Sequence, residues 1–252
     1  AAQVAALTTT QITRITSTTI QGLNTDQAKA LTSAQVGVLS AAQITVLNSD
    51  QVAAIEEKGS KAIAYGADLT DQQAVEGMFQ AAEAAFGKLD ILVMNASGGM
   101  EAGMGEDYAM RLNRDSQVNL LKAALPHLKD GSRVVFVTSH QAHFIRTTPT
   151  MPEYVPVALS KRAGEDALRA MIPELASRNI GFVVVSGDMI EGTITATLLE
   201  RANPGAIESR REGAGKLYNV EEFAAEIVKA ASAPVPANNT VLIGDTSSFT
   251  QG

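Results

Sequence analysis

Apolar residues recur every eight positions over the first 55 residues of the chain. Leu or Ile occupies each position of this register: Leu7, Ile15, Leu23, Leu31, Leu39, Leu47 and Ile55. Thr, Ser or Asn follows each of the first six, and Gln or Thr stands three residues further on. A small polar residue followed three later by Gln is a capping box, and the apolar residues around it form a hydrophobic staple. Each octad therefore predicts its own short helical turn.

Neither one long helix nor a strand suits this spacing. In one long helix, a repeat of eight residues would rotate the apolar positions by about 80° per repeat, so they would not form one face. In a strand, Leu7 and Ile12 are an odd number of residues apart and would therefore face opposite sides of the sheet. We therefore predict short capped turns stacked as a small solenoid, with a flexible Thr/Gln-rich arm as the alternative. The predicted boundary lies near Ala53 and divides the chain into an octapeptide-repeat segment, residues 1–52, and a body, residues 53–252.

Beyond Glu56 the apolar pattern alternates between strand-like runs and helical periods. In one helix, Val75, Phe79 and Phe86 share a face and Gly87 ends it. Strands are predicted over 132–139, 181–190 and 240–245, and helices over 71–87, 106–128, 160–178 and 220–231. The stretch 61–71 predicts a short strand that ends in a polar turn, and 89–99 predicts a strand that runs into a loop of small residues. This alternation predicts an α/β fold with a parallel sheet that is covered by helices on both faces.

Polar residues follow four of the predicted strands, in the stretches ADLTD, NASGG, TSH and SGD. In open parallel sheets, ligands bind beyond the carboxyl ends of the strands. We therefore expect these four stretches to gather at one rim of the sheet and to form the functional site.

Charge and composition narrow the classes of function. The 252 residues carry a net charge of −7 with no basic cluster, so we expect no nucleic-acid partner. The chain has no Cys and only three His, so it has no disulfides and we expect no metal site. The given residues include no recognisable signal peptide and no apolar run near the roughly 18 residues of a membrane span. We therefore expect no membrane association and a cytoplasmic location.

Several segments, in their order along the chain, resemble the short-chain dehydrogenase/reductase family over about residues 53–245. They are GADLTD, AAFGKLDILVMNASGG, VVFVTS, a helix that starts with SK, and VVVSGDMIEGT. The resemblance implies a Rossmann-like doubly wound parallel sheet, with the octads in place of the first βαβ unit. It also implies an NAD(P)-dependent oxidoreductase with NADP or NAD as cofactor, a small carbonyl or alcohol substrate, and a homo-oligomer, either a dimer or a tetramer.

The resemblance assigns catalytic roles by position. Hydride transfer to a carbonyl builds charge on oxygen, which a hydroxyl donor and a general acid stabilise. Asn113 matches the family's helix asparagine, which holds a proton-relay water. Ser139 matches the serine that hydrogen-bonds the substrate carbonyl, and Lys161 matches the lysine that grips the nicotinamide ribose.

The resemblance also assigns cofactor-binding positions beside Lys161. Two residues would border the adenine, four stand where the family has its Asn-Asn-Ala-Gly motif, and three match the segment beside the carboxamide. In that order they are Asp68 and Leu69; Asn95, Ala96, Ser97 and Gly98; and Gly187, Ile190 and Thr193. Met94 replaces the first Asn of the motif.

The first departure from the family pattern concerns the general acid. The family has Tyr four residues before the lysine, whereas this chain has Val157 there, and the nearest phenol is that of Tyr154. Tyr154 either reaches the site from the loop and acts as the acid, or packs against the loop. His140 and His143 either replace the missing acid or shape the substrate loop.

The second departure concerns the phosphate site. The family binds the pyrophosphate at a glycine-rich helix start, but the first 60 residues contain no Gly-x-x-x-Gly-x-Gly. The alternative to an oxidoreductase is therefore a catalytically impaired or non-catalytic scaffold, natural or chimeric, with the N-terminal repeat as an interaction surface. The residues that choose between NAD and NADP belong to the missing elements.

Overall fold

A computed structural model describes residues 7, 8, 11, 63, 65–100, 105 and 107–250. The chain divides into two compact units, Ala1–Gly66 and Ala67–Gly252. In the first unit, Thr8 N–H donates to Gln11 Oε1 at 2.8 Å, and Gln11 N–H donates to Thr8 Oγ1 at 3.2 Å, which is the geometry of a capping box. The other octads lie outside the described residues, so the repeat and the boundary near Ala53 stay predictions.

The second unit is built on a parallel sheet. Its described strands are β1 (Leu89–Met94), β2 (Leu128–Ser139), β3 (Gly181–Gly187), β4 (Ile190–Glu191), β5 (Tyr218–Asn219) and β6 (Thr240–Ile243). Four of them pair in parallel in the order β1-β2-β3-β6, while β4 and β5 form a separate parallel pair. Helices connect the parallel strands, so the predicted α/β architecture is confirmed.

Ten α-helical segments are described in this unit. They are α1 (Gln72–Phe86), α2 (Tyr108–Met110), α3 (Ser116–Ala124), α4 (His140–His143), α5 (Val155–Arg169), α6 (Ile172–Ser177), α7 (Ile194–Ala202), α8 (Ala206–Ala214), α9 (Val220–Ser232) and α10 (Ser247–Thr250). A π-helical turn, Arg111–Asp115, joins α2 to α3, and a 3-10 turn, Pro152–Tyr154, precedes α5.

Successive residues of the central strands face two different layers. In β2, Val134 and Phe136 pack with side chains of α1, α3 and α5, whereas Val135 and Val137 pack with Phe223 of α9. The strand is therefore buried on both faces, which explains why its sequence is a continuous apolar run rather than an alternating one.

A third apolar cluster lies at the carboxyl end of the sheet. It joins Tyr154 and Val157 to Met189, Leu199 and Leu217, which come from the segment that follows β3. This cluster fixes α7 and α8 beside the strand ends, where the candidate site is formed.

Several predicted boundaries are wrong, and prolines explain two of them. The helix predicted over 106–128 contains the π-helical turn and ends at Ala124, shortly before Pro126, and β2 begins already at Leu128. The helix predicted over 160–178 begins at Val155 and breaks after Arg169, and Pro173 lies in the first turn of the new helix. A proline ring and its missing N–H interrupt a continuous helix in this way.

The remaining differences are at strand ends. The strand predicted over 181–190 ends at Gly187. In the stretch 61–71, residues 65–68 are irregular rather than a strand, while residues 69 and 70 form a turn, as predicted. Helices α7 and α8 were not predicted, because the stretch that contains them has a weaker apolar pattern.

Candidate active site

The carboxyl ends of β1, β2 and β3 open onto one cavity of about 320 Å³. Asn95 follows β1, Ser139 ends β2, and Asp188 follows β3, and all three line it. Three of the four polar stretches therefore meet at one rim, as the position of ligand sites in parallel sheets predicts. The fourth stretch, which contains Asp68, does not reach the cavity.

Ser139 is held at the junction of β2 and α4. Its extended backbone ends the strand, and its Oγ accepts a hydrogen bond from Ala142 N–H at 3.3 Å as the N-cap of α4. The same Oγ lies 3.3 Å from the hydroxyl oxygen of Tyr154. The serine therefore keeps its hydroxyl at the cavity wall while its backbone starts the next helix.

Tyr154 reaches the cavity from the 3-10 turn before α5. Its ring is buried, with 4% of its surface exposed, yet its residue lines the cavity together with Ser139 and Lys161. Tyr154 is seven residues before Lys161, which is about two helical turns, so the two residues differ by only about 20° around the helix axis. A spacing of seven therefore keeps both residues on the same face, as a spacing of four does, at a greater axial distance.

Val157, at the position where the family has Tyr, is a core residue. It is 4% exposed and lies in the apolar cluster with Tyr154 and Met189. A Cβ on Gly99 would lie 3.2 Å from Val157 Cγ2 and 2.7 Å from Ala109 Cβ. The backbone of the loop after β1 therefore lies close to the side chains of Val157 and Ala109. The aliphatic side chain fills space between the loop after β1 and helix α5.

Lys161 lies on α5, is partly buried, and lines the cavity. Within the described part of the chain, no carboxylate pairs with its ammonium group. Its charge is therefore available to a ligand in the cavity.

Asn113 is buried in the π-helical turn and holds the loop after β1. Its Nδ2 donates to Gly98 O at 2.8 Å and to Ser160 Oγ at 2.9 Å, and its Oδ1 accepts from Gly98 N–H at 3.2 Å. Gln117 Nε2 donates to Ala96 O at 3.0 Å from the same side. The Asn113 side chain is thus occupied by the protein, and it does not line the cavity. A single π-helical turn often occurs at a functional site.

Neither His140 nor His143 lines the cavity. His140 is fully buried, its Nδ1 lies 2.8 Å from Ser186 Oγ, and its ring contacts those of Phe144 and Phe249. Burial lowers the pKa of His140 to about 4 and outweighs the opposing effect of Asp188. The geometry therefore fits the structural alternative for His140 rather than the role of an acid at neutral pH.

His143, at the end of α4, binds a buried carboxylate. Its Nδ1 lies 2.9 Å from Glu165, which is fully buried and also accepts from Arg169 Nε at 2.8 Å. Burial raises the pKa of Glu165, but the hydrogen bond and the charge of His143, together with the nearby arginines, leave that pKa below its ordinary value. This network joins α4 to α5.

The nine positions expected to bind the cofactor separate into two groups. Asn95, Ser97, Ile190 and Thr193 line the cavity. The others do not: Asp68, Leu69, Ala96, Gly98 and Gly187.

Some of these residues have other structural tasks. Asp68 accepts from Thr70 N–H and Oγ1, both at 2.8 Å, and these hydrogen bonds lower the pKa of its carboxyl. A Cβ on Gly187 would lie 2.5 Å from the Phe223 ring, so this glycine permits α9 to pack on β3. Thr193 Oγ1 donates to Ile190 O and accepts from Ala196 N–H as the N-cap of α7.

Sequence reasoning missed the wall formed by α9 and the ion pair of Asp188. Val220, Phe223, Ala224 and Ile227 of α9 line the cavity. Arg210 Nε lies 2.9 Å from both carboxylate oxygens of Asp188, which is 5% exposed. The helical period of α9 could have shown a buried face, but no local pattern links Asp188 to an arginine 22 residues away.

The described residues contain no group of three or more His, Asp or Glu side chains arranged to hold a metal ion. Within the same ranges, no helix has both the length and the apolar character needed to cross a membrane.

A family model described as short chain dehydrogenase matches residues 14–203 of the chain. The chain belongs to the short-chain dehydrogenase family. The matched range begins inside the predicted octad segment and ends before the last strand, so it differs from the range of about 53–245 that the motifs predict.

Relatives of this short-chain dehydrogenase are known as sequences and as structures. A hydroxynaphthalene reductase-like protein of Metarhizium brunneum is 33% identical over 132 residues, which cover 50% of this chain and 48% of that protein. The chain thus spans about half the length of that relative. An uncharacterized oxidoreductase of Methylorubrum extorquens is 32% identical over 151 residues, 57% of this chain and 59% of that one.

A crystal structure of a short chain dehydrogenase from Burkholderia cenocepacia, in complex with NADP, is similar to this chain with a TM-score of 0.64. The two sequences are 25% identical, and the match covers 81% of this chain and 82% of the other. The Rossmann-like parallel sheet predicted from sequence is therefore confirmed for the described body.

Proposed function

We propose that this chain is an NAD(P)-dependent oxidoreductase that interconverts a small carbonyl compound and its alcohol. The observation that carries the proposal is the 3.3 Å approach of the Tyr154 hydroxyl to Ser139 Oγ in a cavity that Lys161 also lines. Family membership supports the same reaction. The missing phenol at Val157 does not exclude it, because Tyr154 supplies one from two helical turns before the lysine.

The cavity suits the nicotinamide half of NADP or NAD. Val137, Ile190 and Phe223 offer apolar surface to a flat ring, while Asn95 and Lys161 offer hydrogen-bond donors to ribose hydroxyls. Its volume of about 320 Å³ is at the lower end of the range for small-ligand sites. When bound, the nucleotide donates or accepts the hydride.

The chain's own residues would manage the charge and the proton on the substrate oxygen. During reduction, Ser139 Oγ–H donates a hydrogen bond to that oxygen, and the Tyr154 phenol donates a hydrogen bond and then its proton. Lys161 holds the ribose and stabilises the phenolate that results. In the reverse direction, the phenolate accepts the proton of the alcohol. Asn113 would act by positioning the loop that carries Asn95 and Ser97.

Titration of the purified chain with NADPH and with NADH, followed by nicotinamide fluorescence, tests the proposal. We expect saturable binding in the micromolar range for at least one nucleotide, and the chain has no Trp to interfere with the signal. Lys161→Gln should weaken binding by about tenfold or more, because it removes a charged hydrogen-bond donor. Lys122→Gln, on the exposed side of α3, is the matched control and should bind as the parent does.

A folded chain that binds neither nucleotide would contradict the proposal. Cooperative urea unfolding establishes that the chain is folded, so the result is interpretable. That outcome would instead support the alternative of a non-catalytic scaffold of dehydrogenase ancestry. The dimer or tetramer expected from the family remains a prediction.

A further inference from the structure

A second cavity, of about 550 Å³, begins at the wall of the first. Gln141 and Met189 line both cavities, and Gln141 is two residues after Ser139. The second cavity is also lined by the loop before Tyr154, by the turn between α7 and α8, by Ser209 and Arg210 of α8, and by Phe249 of α10. A substrate with its reacting oxygen at Ser139 would therefore extend its remaining atoms past Gln141 into this space.

One wall of this cavity, which we call its base, is apolar and consists of Met151, Met189 and Phe249. Met189 belongs to the buried cluster that also holds Tyr154, and Met151 packs against this cluster. Phe249 stacks on Phe144 with ring centroids 5.6 Å apart. Methionine and phenylalanine side chains favour contact with aromatic or aliphatic groups. The base of the cavity thus offers dispersion and hydrophobic contact rather than charge.

Arg210 is the one cationic residue among the described residues that line this cavity, and its guanidinium group is already paired with acidic side chains. Its Nε and Nη2 bind Asp188 at 2.7–2.9 Å, Nη2 lies 3.6 Å from the Asp245 carboxylate, and Nη1 donates to Ser248 Oγ at 2.7 Å. All three nitrogens therefore have partners. A ligand carboxylate would have to displace the buried Asp188, which would leave that charge unpaired.

Two further carboxylates, those of Glu153 and Glu200, accept hydrogen bonds from residues that line the cavity. Asn203 Nδ2 donates to Glu153 Oε2 at 3.3 Å. The Glu200 carboxylate accepts from Gly205 N–H at 2.7 Å and from Ile207 N–H at 2.9 Å, in the turn that lines the cavity. With two acids on Arg210, this environment opposes an anion and leaves only neutral donors such as Thr150 and Ser209 for polar groups.

We infer that the substrate is an uncharged carbonyl compound with an apolar, ring-sized body, and that carboxylate-bearing carbonyl compounds are rejected. The inference rests on the proposed function, because it places the reacting oxygen at Ser139 and Tyr154. The body lies against Met151, Met189 and Phe249, and neutral polar substituents face Thr150 and Ser209.

Three matched ketones test this selectivity: benzylacetone, its para-carboxamide and its para-carboxylate. The carboxamide and the carboxylate have nearly the same shape and differ in charge. With NADPH or NADH, we expect kcat/KM for the carboxamide to exceed that for the carboxylate by at least about tenfold. Equal or faster reduction of the carboxylate would overturn the inference.

Ser209→Lys adds a cation at the cavity, and Ser209→Gln, a neutral side chain of similar length that still donates hydrogen bonds, is the control. In the lysine variant, we expect the ratio of kcat/KM for the carboxamide to kcat/KM for the carboxylate to decrease about fivefold. In the glutamine variant, this ratio should stay as it is in the parent. A ratio that does not respond to the lysine would show that the carboxylate does not enter this cavity, which would contradict the placement.

A binding measurement separates this inference from the proposed function. Saturation-transfer NMR of the same carboxamide and carboxylate reports their affinities without any turnover. If nucleotide binding and reduction are absent but the carboxamide binds in preference to the carboxylate, the proposed function fails and the cavity assignment stands. If diacetyl, a short neutral probe, is reduced but the charge makes no difference among the larger ketones, the inference fails and the proposed function stands.

Discussion

At the scale of single residues, the candidate site depends on the position of one phenol, that of Tyr154. Val157 lies close to Gly99 and in the apolar cluster with Tyr154, so the family position of the tyrosine is part of the apolar core. Tyr154 enters from the 3-10 turn and places its hydroxyl 3.3 Å from Ser139 Oγ. The two arrangements are related by helical geometry, because positions four and seven residues before the lysine lie on the same face of a helix.

Tyr154→Phe tests the acid directly. If the proposed function is correct, the variant should lose about 100-fold or more in kcat, the usual contribution of a general acid, while its affinity for NADPH changes little. Steady-state kinetics and the fluorescence titration measure the two quantities separately. Tyr218→Phe removes a phenol that lies outside the cavity and is the matched control. A Tyr154→Phe enzyme as fast as the control would rule out this acid.

At the scale of elements, the approach of α5 to the π-helical turn fixes the site. A Cβ on Gly164 would lie 2.0 Å from the carbonyl oxygen of Asn113. Because Asn113 in turn holds both polar groups of the Gly98 peptide unit, this close packing sets the position of the loop after β1 relative to Lys161. The glycine is needed here for space, since its backbone is ordinary α-helix.

Gly164→Ala should therefore destabilise the protein, whereas a second helical glycine offers a matched comparison. We expect Gly164→Ala to lower the free energy of unfolding by at least about 2 kcal/mol, since the methyl group forces two helices apart. Gly213→Ala, in α8, meets only Arg210 Nη1 at 3.9 Å and should raise stability by up to about 1 kcal/mol through helix propensity. Urea unfolding of both variants checks this, and similar effects of the two substitutions would contradict it.

At the scale of the whole molecule, buried titratable groups couple folding to pH. His140 is enclosed by Ser186, Phe144 and Phe249, and its pKa falls from 6.5 to about 4, chiefly because burial disfavours the charged ring. The unfolded chain therefore binds a proton in a pH range where the folded chain does not. Stability must fall as pH decreases from about 6.5 towards 4.

Because of the lowered pKa of His140, the free energy of unfolding should decrease by about 2 kcal/mol between pH 7.5 and pH 5. His140→Asn removes the titration and retains a group that can bond to Ser186, so it should show a smaller loss over the same range. Urea unfolding at both pH values measures the difference, and an equal acid loss in His140→Asn and the parent would refute the role of His140.

Much of the fold followed from the sequence, because periodicity and strand ends are local properties. The continuous apolar runs of β2 and β3 indicated that these strands are buried on both faces. The polar residues at the ends of β1 and β2 predicted that Asn95 and Ser139 lie at the rim of the sheet. Lys161 is assigned by resemblance to the family, and its role stays a prediction. The helix that carries it begins at Val155 rather than at the SK motif. The boundaries failed where prolines and a π-helical turn interrupt a continuous period.

The tertiary structure alone decided which distant side chains meet. Tyr154 and Ser139, 15 residues apart, come together across the loop that joins β2 to α5. Asp188 finds Arg210, and Asn113 turns inward to Gly98 and Ser160. The physical reason is that a pattern along the chain records whether a face is buried, but not which remote group covers it. The charge and shape of the two cavities depend on such remote pairs.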